Sequence, residues 1–415
     1  MTNASVSQNP RVVKEADALD AAGYDVTVHY VRHAAWTRPL DLAVEAGARW
    51  TARCLDVSPT TVTRRLTRYR TGLRVRMVRT LVRITGTSPL WLVELAYSRF
   101  RNEQLAAITA DAAELYIGHN PQSLPIVGRA AKAVGARYAF DAEDLHSGEF
   151  TEADRQGITA QLLQRLEQEY LPSCAYVTAS APGISRELSW RYGIPEPVTV
   201  HNVFPLSGRR STDGKRNDRK RGITGVSFYW YSQIVSLDRG LQDAIRALGQ
   251  VSGEVELHIR GVMDTAVCET LDGLARAAGC ADRVFYHSAV APDELLSRAM
   301  EHDAGLCLEQ PQTLNRDMCV TNKLFLYLLA GLALAATDTQ GQREAAAAFP
   351  DAVFFFRPGD VPGLADIMQR LVSDPAALSR ARDAALRAAE TRWNWERESA
   401  SLVACVDRTW GNARG

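Results

Sequence analysis

The sequence predicts an α/β protein built as two doubly wound domains, and three observations carry that reading. Short apolar runs alternate with helix-period segments along almost the whole chain, the pattern of βαβ units and parallel sheets. The alternation halts at 204–222, where a basic stretch with Ser, Thr and Gly reads as a linker. The length, 415 residues, suits two domains of about 200 residues better than one. Composition agrees: 46% hydrophobic and 23% charged is close to the globular average and excludes disorder for the bulk of the chain. Lys+Arg and Asp+Glu are both 48, a balance that argues against a nucleic-acid polymer as partner. Seven scattered cysteines without a C-x-x-C predict no disulfide framework and a reducing compartment. The first ten residues are polar, with no apolar leader, and the longest apolar run, 324–336, is too short to span a bilayer and reads as core. A soluble, cytoplasmic protein is expected.

The elements follow in order. Residues 11–22 form a helix with Val12, Ala16 and Leu19 on one face, ended by Gly23. Residues 24–31 follow as a strand with Val26 and Val28 inward. A start on a helix means that either residues 1–6 form a stunted first strand or that strand lies upstream of Met1. Residues 57–93 hold eight Arg, no Lys and no acidic residue. Leu66, Tyr69, Leu73, Met77, Leu81 and Ile84 recur there at spacings of three or four, which predicts one or two basic amphipathic helices. The plain expectation is a packed apolar face with the arginines in solvent. An anionic acceptor, a membrane surface and nucleic acid are the functional alternatives.

Strands are then expected at 114–117, 137–141, 175–179 and 198–201, with helices at 124–134 and 183–192 between them. The first of these strands runs into Gly118-His119-Asn120 and the second into Asp141-Ala-Glu-Asp144. Beyond the linker, strands are expected at 225–229, 255–260, 284–286, 304–308, 333–337 and 353–356. Helices fall at 240–248, 292–300, 323–330, 361–372 and 382–389, followed by a Trp393-Asn-Trp395-Glu396 turn and a last helix to about Cys405. Two such Rossmann-like domains facing each other would form a cleft, with ligands beyond the carboxyl ends of the strands.

The motifs narrow the chemistry. There is no G-x-G-x-x-G, no G-x-x-x-x-G-K-[ST], no H-E-x-x-H, no zinc-spaced Cys/His cluster, no D-x-D and no G-x-S-x-G. Dinucleotide, P-loop, zinc, carboxylate-held metal and hydrolase-elbow readings therefore have no support. What is present suits a diphosphate held without a metal. Thr321-Asn322-Lys323 opens an apolar helix closed by Gly331, and Arg239-Gly240 opens another. A helix N-terminus offers free N–H groups and a partial positive charge to a phosphate. Lys323 and Arg239 would add fixed cations and clamp a diphosphate leaving group.

Taken together, several segments resemble retaining GT-B glycosyltransferases of family four. They are the helix Arg11 to Val26, Gly118-His119, Asp141-Ala-Glu-Asp-Leu-His146, Ser180 with Tyr192-Gly193, and His201-Asn202. In the second half they are Ser232-Gln233 to Arg239-Gly240-Leu241, Asn322-Lys-Leu-Phe-Leu-Tyr-Leu-Leu-Ala-Gly-Leu332 and Trp393-Asn-Trp395. The resemblance implies the GT-B fold, two Rossmann-like domains facing across a cleft. It implies an acceptor-binding domain at 1–203, a linker at 204–222, a nucleotide-sugar domain at 223–388, and a C-terminal helix at 389–415 that returns to the first domain.

It also implies roles. His119 would meet the donor sugar, and Arg239 and Lys323 the diphosphate, as the catalytic set. Gln233, Gly240, Arg260, Ser288, Val290, Asn315, Thr321, Asn322, Asp338 and Gln340 would lie on the donor side. Asn3, Asn120, Glu143 and Asp144 would lie on the acceptor side. Two departures are clear: the family's paired Glu residues fall here on Met318 and Leu326, and its donor-loop arginine falls on Gln233. Ribose recognition would then pass to Glu309, Asn315 or Asp338.

The function expected is a metal-independent, cofactor-free transfer of a sugar from a GDP- or UDP-linked donor to a small-molecule acceptor, with retention. The Ala- and Arg-rich composition permits a secondary-metabolite pathway, with a lincosamide-type enzyme and a thiol or hydroxyl acceptor as the specific reading. A polysaccharide or lipid-linked acceptor, a nucleotide-sugar epimerase and a non-catalytic partner are the alternatives.

Overall fold

A computed structural model describes residues 1–85, 89–215, 218 and 225–411. The chain divides into two compact units, 1–200 with 399–415, and 201–398. The part of the expected linker that is described, 204–215, belongs to the second unit; the rest of it, apart from Asp218, lies outside the described residues. Arg209 anchors this segment by donating to the Leu329 carbonyl at 2.6 Å, and Asp213 pairs with Arg298 at 2.5 Å. The chain returns to the first unit inside its last helix, Trp395–Gly411, at Glu398/Ser399.

The second unit is built on a six-stranded parallel sheet. Its strands are β7 (Val226–Ile234), β8 (Val255–Val262), β9 (Val284–His287), β10 (Ala304–Cys307), β11 (Ala333–Thr337) and β12 (Val353–Phe356), numbered after six strands of the first unit. They lie in the order β12-β11-β10-β7-β8-β9. Every residue of β10 and β11 is buried, as expected of central parallel strands covered on both faces. The strand order reverses between β7 and β10, so their carboxyl ends diverge into the crevice where such sheets bind ligands.

The helix Asn322–Ala330 lies against this sheet, and all its residues after Asn322 are buried. Gly305 on β10 makes that approach possible: a Cβ there would lie 2.2 Å from the Tyr327 ring. No helix among the described residues is long and apolar enough to cross a membrane, and the apolar run 324–336 is core.

The first unit holds a two-stranded sheet, β1 (Thr27–Arg32) with β2 (Thr51–Asp56), and a four-stranded sheet. The latter is β3 (Leu115–His119), β4 (Arg137–Ala142), β5 (Val177–Ala179) and β6 (Val198–Thr199), in sequence order. All pairings are parallel. Residues 1–4 stitch the two sheets together as a stunted strand. The Met1 nitrogen donates to the Ile117 carbonyl at 2.6 Å, and His119 N–H donates to the Met1 carbonyl at 2.8 Å. Thr2 N–H donates to His29 at 3.0 Å, and Val31 N–H to Ala4 at 3.3 Å. Below this stub a cavity of about 370 Å³ opens between β1 and β3, lined by Val28, His29, Leu115 and Ile117 among others. The helix Pro10–Ala21 follows, capped by the Asn9 side chain.

The Arg-rich segment forms two helices, Val62–Thr85 and Leu90–Tyr97, separated by residues of which 86–88 lie outside the described set. Its orientation overturns the plain expectation. Arg68 donates to the Val57 carbonyl at 3.2 Å, Arg74 to Arg99 at 2.6 Å and Arg79 to Ala96 at 2.9 Å, so arginines face the protein. Leu66, Tyr69, Leu73, Met77, Leu81 and Ile84 face solvent.

The Gly305 contact has a direct consequence. Gly305→Ala is expected to destabilise the protein by about 2–3 kcal/mol in denaturant unfolding, because the added methyl group has no free volume against Tyr327. Unaltered stability would mean that the helix can shift at no cost.

Candidate functional site

The site in the second unit assembles at the reversal between β7 and β10. Thr321 caps the helix Asn322–Ala330, its side chain accepting from Lys323 N–H at 3.4 Å. This places Lys323 in the first turn, where the helix end is itself positive. The Lys323 side chain is buried, at 7% exposure, beside the Trp230 ring at 5.5 Å. A buried cation at a positive helix end requires a counter-charge, and Glu309 supplies it: Lys323 Nζ donates to Glu309 Oε1 at 2.8 Å and to Thr321 Oγ1 at 3.3 Å.

Burial alone would raise the Glu309 carboxyl, but Lys323, with Arg239 adding to it, holds it below the ordinary carboxylate range. The Glu309 backbone is pinned by the Thr337 hydroxyl, which donates to its carbonyl at 2.7 Å. Thr337 is in turn held by Gln342 Nε2 at 2.9 Å.

The second cation arrives on the loop after β7. Gly240 caps the helix Leu241–Leu248 with φ of 75°, and a Cβ there would lie 2.8 Å from the Leu308 carbonyl. Glycine thus lets the Arg239 loop close onto the turn that carries Glu309. Arg239 Nε lies 3.8 Å from Asp238 and makes no hydrogen bond among the described residues. Asp238 is held instead by Arg316 at 3.1 Å. Lys323, Arg239, Arg316 and a helix N-terminus thus stand against two carboxylates, Glu309 and Asp238, and the imbalance favours an anion.

The other donor-side candidates sit at the carboxyl ends of the same sheet. Gln233 is exposed near the end of β7, and Ser288 and Val290 follow β9. Asn315 is buried on the short helix Leu314–Met318, and Asn322 is exposed at the start of its helix. Asp338 follows β11 and forks onto Arg343. Gln340 opens the next helix, its N–H donating to Asp317 at 3.1 Å.

Arg260 already has partners inside the unit. Its guanidinium is engaged inside the unit by Tyr229 Oη at 3.0 Å, by the Ser288 carbonyl at 2.5 Å and by both oxygens of Asp218. It positions the Ser288 loop, and each of its three nitrogens has an acceptor. Glu309 likewise has a partner inside the unit, as the counter-ion of Lys323. Thr337 and Trp230 were not among the sequence candidates; they support the site only through contacts distant in sequence.

In the first unit the candidates collect at the equivalent position, where the stub strand meets β3. Asn120 is the only non-glycine residue with positive φ, 69°, among the described residues, and its Oδ1 accepts from the Thr2 hydroxyl at 2.6 Å. Asn3 lies on the stub, its carbonyl 2.8 Å from His33 Nε2. His119 is 4% exposed and ringed by carboxylates: Asp141 at 3.3 Å, Glu143 at 3.4 Å and Glu15 at 3.4 Å. Glu143 also accepts from Asn9 at 2.8 Å, and Asp144 lies beside it, partly exposed.

Arg11 forks onto Asp141 at 2.5 and 2.7 Å and donates to the Val200 carbonyl at 2.8 Å. Arg11 and Glu15 were missed as site residues, although two charges four positions apart on an otherwise apolar helix face are a readable signal. Burial would lower the His119 pKa, but Glu15, Asp141 and Glu143 raise it to about 9, so the imidazolium is the resident form at neutral pH. Burial, then Asp141, pushes the Glu15 carboxyl up to about 7. Glu15, His119 and Asp141 bring ligand atoms within 4.8 Å of one another. With Arg11 on both Asp141 oxygens and a proton on His119, however, the donor set is occupied by cations of the protein itself, and it fits a charge network rather than a metal centre.

Each of these two shifts contributes to the pH dependence of stability with a definite sign. His119 holds its proton more tightly when folded, so its contribution is complete below about pH 6.5 and is lost as pH rises through about 9. Glu15, raised in the folded state, acts in the same direction between about pH 4.5 and 7. The unfolding free energy of the unmodified protein relative to His119→Gln is therefore expected to fall by roughly 2–3 kcal/mol from pH 6.5 to 9.5; the Met1 amino group and Lys14, both lowered by burial, titrate in the opposite sense and are common to the two proteins. An equal slope in the variant would show that the histidine is not the titrating group.

No protein-family model matches the sequence, and no curated protein sequence matches it. Known structures do. HepE from Anabaena, solved in complex with UDP, superposes with a TM-score of 0.70 at 12% identity, over 98% of each chain. The same protein has also been solved with UDP-glucose. Sucrose-phosphate synthase from Thermosynechococcus elongatus gives 0.69 at 13% identity, over 99% of this chain and 95% of that one. A glycosyltransferase from Rickettsia africae gives 0.65 at 10% identity, over 99% and 97%. At such identities the likeness is one of architecture: two Rossmann-like units in the GT-B fold.

Proposed function

We propose that this chain is a glycosyltransferase that takes its sugar from a nucleotide diphosphate. The observation that carries the reading is the cationic cluster at the strand-order reversal of the second unit. Lys323, Arg239 and the N-terminus of the Asn322–Ala330 helix converge there, with Glu309 as the only carboxylate paired to Lys323 among the described residues. The same fold in HepE, solved with UDP and with UDP-glucose, supports it.

In this reading the diphosphate displaces part of the Lys323–Glu309 pairing and accepts from the first-turn amides, so charge developing on the leaving group meets donors already in place. The bond from the anomeric carbon to the phosphate oxygen breaks, and a bond to the acceptor oxygen or sulfur forms. The acceptor's proton passes to the leaving phosphate, which gives retention when both events share one face of the sugar. The fixed cations take the place of a metal. His119, held as imidazolium by its three carboxylates, would stand at the carboxyl end of β3, beside Asn120, Asn3 and Glu143 on the acceptor side.

Thermal shift against UDP, GDP, dTDP and their sugars tests the reading. One base is expected to stabilise the protein without added divalent metal. Arg239→Ala and Lys323→Ala are each expected to lose at least tenfold in kcat/KM with the matching sugar donor, about 1.4 kcal/mol of transition-state stabilisation. No shift with any nucleotide, or undiminished rates in both variants, would refute it.

A further inference from the structure

The helix Val62–Thr85 presents an apolar stripe that nothing in its own unit covers. Of its 24 residues only Thr71 is buried. Ile84, Tyr69 and Met77 are 77%, 69% and 64% exposed, and Leu66, Leu73 and Leu81 are 56%, 46% and 45% exposed. Their spacing of three and four keeps all six on one face of a helix about 36 Å long. The inner face is held by guanidinium-to-carbonyl bonds from Arg68, Arg74 and Arg79, so the exposed stripe is not a register accident that could roll inward without breaking them. Arg65, Arg70, Arg76 and Arg83 are exposed as well. At 100° per residue, Arg65, Arg76 and Arg83 fall along one flank of the stripe, and Arg70 lies within it, between Met77 and Leu81. No acidic residue occurs between 57 and 93.

A long helix with an apolar face, an arginine row along one flank and no acidic residue fits the boundary between headgroups and acyl chains of an anionic bilayer. A second copy of the chain fits less well, because apposed stripes would bring arginines together with no acidic residue on the helix to pair with them. We propose that this helix docks the first unit on an anionic lipid surface. The stripe enters the acyl boundary, and Arg65, Arg70, Arg76 and Arg83 meet lipid phosphates. The proposal is independent of the transferase reading, since none of these residues belongs to either candidate site.

Co-sedimentation of the full chain with vesicles tests it, using phosphatidylcholine alone or with roughly one third phosphatidylserine. The protein is expected to sediment with the anionic vesicles only, and to be released by high salt. Leu73→Asp with Met77→Asp, and separately Arg70→Glu with Arg76→Glu, are each expected to weaken partitioning about tenfold while circular dichroism and the thermal transition stay unchanged, the four side chains being exposed or at the surface. Failure of the unmodified protein to bind anionic vesicles, or equal binding by both folded double variants, would overturn the proposal. So would a concentration-dependent doubling of mass that Met77→Asp abolishes without vesicle binding, which would assign the stripe to a second copy.

Discussion

A lysine buried at the positive end of a helix is the constraint around which the second unit is arranged. Lys323 has little solvent to stabilise its charge, and the helix dipole it joins has the same sign. Glu309 relieves that conflict only in part, because Arg239 adds a further positive charge to the same carboxylate. The site is therefore electrostatically unbalanced toward an anion. The remaining features follow from holding this arrangement in place: Gly305 admits the helix, Thr337 pins the Glu309 turn and Gly240 lets the arginine loop close on it.

The first unit solves a related problem with the opposite balance. At the carboxyl end of β3 an excess of carboxylates surrounds one imidazole and one guanidinium. The result is a histidine that keeps its proton at neutral pH. Both clusters lie where neighbouring strands diverge, so the parallel-sheet topology decides where charge can be concentrated without being sealed in the core.

Much of the second unit was legible in sequence because its central strands are apolar along their whole length and end at polar turns. β2, Thr51–Asp56, escaped notice: it is largely exposed and lacks alternation, and its pairing with β1 gives it the order that its own pattern does not show. Lys323 and Arg239 could be read from their places at helix starts, which are local features. The partner of Lys323 could not, since the pairing with Glu309 joins a strand end to a helix across a turn. The partners of Arg260 were unreadable for the same reason: only the folded chain shows Asp218, Tyr229 and Ser288 engaging its three nitrogens. Periodicity located the apolar stripe of the Arg-rich helix correctly but carried no information on which way it faces. That is set by arginine bonds to Val57, Ala96 and Arg99.

The central claim is that the pocket recognises the diphosphate through Lys323 and not through general affinity for a nucleoside. Calorimetric titration of UDP or GDP, whichever binds, beside its parent nucleoside, with the unmodified protein and with Lys323→Ala, addresses this most directly. The account predicts that the substitution weakens the nucleoside diphosphate by tenfold or more and leaves the nucleoside unchanged. Equal loss for both, or none for either, would contradict it.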